Sequence, residues 1–100
     1  MEAIEELLSE NPVLAKAVAL EVVARRRRQL LGELRRIEER IREFESKHGA
    51  SIEEYERTMG DSFEAHEVWF EWKALVEVRK SVEEELKGLE RTLRKLTGKV

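Results

Sequence analysis

Acidic and aromatic side chains interleave between residues 64 and 72, where Glu64, Glu67 and Glu71 surround Trp69, Phe70 and Trp72. Carboxylates three and four residues apart share a helix face and set up a negative field, and rings among them can anchor in a partner's pockets. This is the chemistry of a surface that binds a basic protein, and it makes Glu64, Glu67, Trp69, Phe70 and Glu71 the candidate partner-binding residues. Glu45 and His48 have the Glu-x-x-His spacing of di-metal helical bundles. A metal pair also needs a second such motif and further inward carboxylates, and none is apparent, so no metal or other cofactor is expected. The chain has no Gly-rich phosphate loop, no Ser nucleophile elbow and no His-Glu-x-x-His pair, and no catalytic residue is assigned from these motifs.

The elements that must carry these side chains announce themselves by periodicity. Leu20, Val23, Arg27, Leu30, Leu34, Ile37, Ile41 and Phe44 form one seam, and Val68, Trp72, Leu75, Arg79, Val82, Leu86, Leu89, Leu93 and Leu96 form another. Alternating steps of three and four put each set on one helix face, a stripe suited to a coiled-coil-like neighbour. Arg27 and Arg79 interrupt the stripes as a polar layer. They either snorkel to flanking Glu or accept a carboxylate from a partner.

Punctuation sets the boundaries. A short helix is expected over about residues 2–9, closed by Asn11 and Pro12, an N-cap and a first-turn proline for a long helix to about Lys47. Gly49 suits the left-handed C-terminal position, and Ser51 to Glu54 reads as a capping box for a short helix over about 52–59. Asp61, with Glu64 three residues on, is expected to cap a last long helix over about 62–96. The fold class is therefore all-α in one domain spanning 1–100, an elongated antiparallel hairpin of two long helices with a short helix at its tip. Because one seam per helix leaves the core open on one side, pairing of two hairpins into a four-helix bundle, a homodimer or higher oligomer, is expected. A partner protein across the seam would close it equally well.

Charge is unevenly laid out on a chain whose net charge is −3. Residues 53–71 carry seven acids against Arg57, whereas residues 25–42 carry eight Arg against three Glu. The block from Arg25 to Arg28 lacks interleaved aromatics, so nucleic acid is not expected as the primary ligand. With no Cys, no positively charged leader before an apolar stretch and no long apolar run, neither disulfides nor a membrane span are expected, and the cytoplasm is the expected compartment. Abundant Glu, Arg and Lys beside only two side-chain amides, Asn11 and Gln29, is a bias shared with hyperthermophilic proteins. The short helix should cover part of the aromatic set, with Ile52, Tyr55 and Met59 over Trp69 or Phe70, and leave the remainder as a patch rimmed by Glu.

Two family resemblances follow. Phe44, Glu45, Lys47, His48, Gly49, then Ser51, Glu53, Glu54, Tyr55, then Gly60, Asp61, Phe63 and the run Trp69 to Trp72 resemble the middle of small helical antitoxins from prokaryotic, often archaeal, toxin-antitoxin operons. His48 stands where those proteins more usually carry an aromatic residue. The resemblance covers about a third of the chain and implies a neutraliser of a small, basic toxin encoded in the same operon. Arg42 and His48 also resemble the Arg-x(4-6)-His motif of HEPN ribonucleases, which are all-helical and dimeric, although in that family the motif usually lies late in the chain. A homo-oligomeric structural bundle is the alternative from another class.

Overall fold

The computed structural model describes residues 2–98, and the chain is an all-α helical hairpin. Four helices follow in order, α1 (Glu2–Glu10), α2 (Pro12–His48), α3 (Ile52–Thr58) and α4 (Phe63–Thr97), and no strand occurs among the described residues. Among those residues no helix is long and apolar enough to cross a membrane. The chain divides into two compact units, one of residues 1–30 with 85–100 and one of residues 31–84.

The helix ends around the three connections follow from local chemistry. The break between α1 and α2 is a single residue, Asn11, whose backbone carbonyl accepts from the Ala15 amide and so opens α2. Its side chain does not cap α2 as the sequence suggested. The amide nitrogen Nδ2 instead donates to the Leu7 carbonyl at 2.8 Å, satisfying one of the carbonyls that α1 leaves open at its C-terminus. Pro12 lacks the amide hydrogen that the first turn of α2 would leave unpaired. The far end of α2 closes on Gly49 at φ 61°, with the Ala50 amide reaching back to the Glu45 carbonyl at 3.3 Å. That six-to-one bond requires the left-handed conformation which glycine adopts without penalty.

Ser51 caps α3 by accepting from the Glu54 amide at 3.2 Å. The cap of α4 is Ser62, one residue later than the sequence suggested: its hydroxyl accepts from the Ala65 amide at 3.1 Å and its carbonyl from the His66 amide. With Ser62 in that position the helix begins at Phe63, and Asp61 lies outside it.

In the first unit Leu30 and Leu86 are buried, and Leu20, Val23, Leu89, Leu93 and Leu96 are half-buried along the same seams. Arg26 grips Glu85 through two bonds, Nε to Oε2 at 2.7 Å and Nη2 to Oε1 at 3.1 Å. Arg27 keeps about two-fifths of its side chain in solvent and reaches Glu90 at 3.8 Å. In the second unit Arg79 behaves likewise toward Glu83 at 3.7 Å. Both seam arginines therefore lay their stems on the seam and carry their guanidinium groups out to flanking carboxylates.

The second unit is built around Trp72, which is fully buried. Ile41, Phe44, Ile52 and Val76 are buried with it, and Ile37, Tyr55, Val68 and Leu75 pack around them. The Phe44 ring stacks on the indole at 5.5 Å, His48 at 5.8 Å, and Tyr55 of α3 leans on it at 5.4 Å. Tyr55 Oη then donates to the Ala65 carbonyl at 3.0 Å, tying α3 to the start of α4. The ring at the centre of this packing is thus Trp72; of the two rings expected under α3, Trp69 is held at its side by Glu56 and Phe70 is left exposed. Trp72→Ala should cost about 3–5 kcal/mol, read as a lower midpoint in urea unfolding followed by helical circular dichroism. Phe70→Ala should shift stability by no more than about 0.5 kcal/mol; equal losses at both positions would contradict this assignment of the core.

Candidate protein-interaction surface

The side of α4 turned away from its seam carries a second apolar stripe. At about 100° per residue, Phe63, Phe70, Ala74 and Val78 fall within about 80° of one another, and the middle of that stripe lies nearly opposite Trp72 and Arg79. Phe63 is 71% exposed, Phe70 66% and Val78 48%. The packing that buries Trp72 against α2 and α3 cannot reach this side, because one helix face meets one neighbour. Glu64, Glu67, Val68, Phe70 and Glu71 line a shallow groove here.

Of the five residues singled out from the sequence, Glu64, Glu67, Phe70 and Glu71 come together on this groove. Glu64 and Glu67 are exposed and have no ion-pair partner among the described residues. Glu71 is partly neutralised, its Oε1 accepting from Arg40 Nη2 at 2.7 Å. Arg40 also binds Glu43 at 2.8 Å and lies 4.8 Å over the Phe44 ring, so this guanidinium joins the groove's edge to the aromatic core.

Trp69 turns the other way. Its side chain is half-buried, and the indole Nε1 donates to Glu56 Oε1 of α3 at 3.0 Å. It lines a separate cleft with Glu56, Met59, Gly60, Asp61, His66 and Lys73. Its ring still meets Phe70 edge-on at 5.0 Å and so backs the exposed ring. Phe63 and Val78 belong to the surface although their positions were not singled out. Their spacing from Phe70, seven back and eight forward, is the signal that could have found them.

The residues considered for other chemistry are not assembled into a site. Arg42 faces Glu39, Glu43, Ser46 and Lys47 in a shallow surface depression. The imidazole of His48 instead packs among Phe44, Tyr55 and Trp72, with Nε2 buried and without a hydrogen-bond partner among the described residues. Six residues along a helix put Arg42 and His48 about 120° apart around its axis. Glu45 is exposed, and no group of three or more potential ligands for a metal is found among the described residues. Compared with known protein families, curated proteins and solved structures, the chain matches none.

The Glu56 carboxyl is held below its ordinary value, first by the Trp69 indole hydrogen bond and then by the charge of Lys73, whose Nζ lies 3.5 Å away. A depressed carboxyl stabilises the fold above the ordinary value of 4.5 and loses that contribution as pH falls through the lower folded value. Glu56→Gln keeps an acceptor for Trp69 and removes the titration. Its stability should fall less steeply than wild type's as the solution is acidified below pH 4.5, measured by urea midpoints across that range. Parallel profiles for the two proteins would show that the Trp69–Glu56 contact does not persist in solution.

Proposed function

We propose that this chain is a protein-binding module of the antitoxin type, which captures a small basic protein on the outer face of α4. The observation that carries the reading is the pair of exposed rings, Phe63 and Phe70, on the face opposite the seam and bordered by Glu64, Glu67 and Glu71. Exposed apolar stripes rimmed by one sign of charge are what binding surfaces need: rings that fill pockets and a field that steers the partner. A nuclease toxin has a basic site because it receives phosphates. An acidic face bearing aromatic anchors can occupy such a site as a nucleic-acid mimic, which agrees with the resemblance to operon-encoded antitoxins. In this reading the chain binds and does not catalyse, so it should leave single-stranded RNA intact with or without divalent metal; cleavage lost in Arg42→Ala or His48→Ala would replace it with the ribonuclease reading.

The test uses the small basic protein encoded by an adjacent reading frame, produced together with this chain. Glu64→Lys combined with Glu67→Lys should slow association and abolish its salt dependence while the helical spectrum stays unchanged. Phe70→Ala should weaken binding by about 2 kcal/mol, roughly thirty-fold in Kd, mainly through faster dissociation. Unaltered binding in both variants would remove this face as the contact surface.

A further inference from the structure

The first compact unit exposes apolar side chains beyond those its seam uses. Ile4, Leu7, Val13, Leu14, Val18 and Val22 are all substantially exposed. On α2, Leu14, Val18 and Val22 follow one another at steps of four, and their stripe lies about 150° round the helix from the Leu20, Val23, Arg27 and Leu30 seam. The packing that buries Leu30 therefore leaves it bare.

The charges flanking this stripe are ordered. Before it, α1 carries Glu2, Glu5, Glu6 and Glu10 with no basic residue, and none of the four has an ion-pair partner among the described residues. After it, Arg25 lies on the face of the stripe and Arg28 is exposed about 80° round the helix from it, whereas Arg26 and Arg27 reach Glu85 and Glu90. Arg25 meets only Glu21 of its own helix, with more than half of each side chain in solvent, and Arg28 has no ion-pair partner among the described residues. In sequence order the exposed side chains thus read acid, apolar, base.

We infer that this face is covered by a second copy of the chain, the two α2 helices crossing antiparallel about Val18. The sequence of charges selects the occupant and the direction. An isologous two-fold contact requires a surface complementary to itself, and acid-apolar-base is complementary to its own reverse. In the antiparallel arrangement Leu14 meets the partner's Val22, Val18 meets its own counterpart, and Arg25 and Arg28 extend past the apolar stripe toward the partner's α1 carboxylates. A parallel arrangement sets acid on acid and base on base, which opposes association. The inference is independent of the partner-binding face on α4, whose residues lie in the other unit.

Sedimentation equilibrium of the whole chain at micromolar concentration should show a dimer. Val18→Asp should yield a folded monomer, since Val18 is exposed within the hairpin and its replacement leaves the seam intact. Arg25→Glu with Arg28→Glu should weaken the dimer at least ten-fold, as should Glu6→Arg with Glu10→Arg. All four together should restore it, which no loss of folding can imitate. Because the natural chain lacks Cys, Val18→Cys treated with a short bis-maleimide should cross-link into a covalent dimer, and Phe70→Cys should not. A monomeric wild type, a dimer indifferent to Val18→Asp, or a failure of the four-fold charge exchange to restore association would each overturn the inference.

Discussion

A helix in a two-helix hairpin can bury one face against its neighbour, and that constraint governs this molecule. The seams use it fully: every apolar position from Leu20 to Phe44 and from Val68 to Leu96 on the two stripes is buried or half-buried. Both long helices nevertheless carry a second apolar stripe on the opposite side, Leu14 to Val22 on α2 and Phe63 to Val78 on α4. Among the described residues, both stripes keep much of their surface in solvent. Exposed apolar stripes of this kind are what a contact surface presents, and both are proposed as contact faces.

Trp72 makes the arrangement on α4 unambiguous. Phe44, His48 and Tyr55 surround the indole and Ile41, Ile52 and Val76 are buried with it, which fixes the rotation of α4 about its own axis. With that rotation fixed, Phe70 must point outward. Glu56 of α3 then takes the indole nitrogen of Trp69 and holds that ring to the side. The acidic face owes its composition to the sequence and its orientation to this core.

Much of this was legible in the amino-acid sequence, because helix periodicity and capping are local. The seams could be read from steps of three and four, and Gly49 and Ser51 from their backbone and hydrogen-bonding preferences. Asp61 and Ser62 are adjacent competent caps, and spacing to Glu64 favoured the wrong one; the hydroxyl at Ser62 reaches the Ala65 amide. Asn11 could serve either helix it separates, and it serves the one before it. Which ring α3 would cover depends on where a seven-residue helix lands, a tertiary matter that no local pattern encodes. The same holds for Val76, buried beside the seam instead of on it. On the outer face of α4 the acids were evident, whereas the choice of Phe70 over Trp69 as the outward ring follows from the rotation that Trp72 fixes and from the Trp69–Glu56 bond.

The most direct test of the claim that α4 presents a free aromatic face is fluorine NMR of the chain labelled with fluorophenylalanine. Its three Phe residues are Phe44, Phe63 and Phe70. Resonances from Phe63 and Phe70 should show the chemical-shift change of full solvent contact when water is exchanged for heavy water, and that of Phe44 should not. A shielded Phe70 in the isolated chain would mean that the protein covers this face itself, and the account of α4 as a binding surface would be wrong.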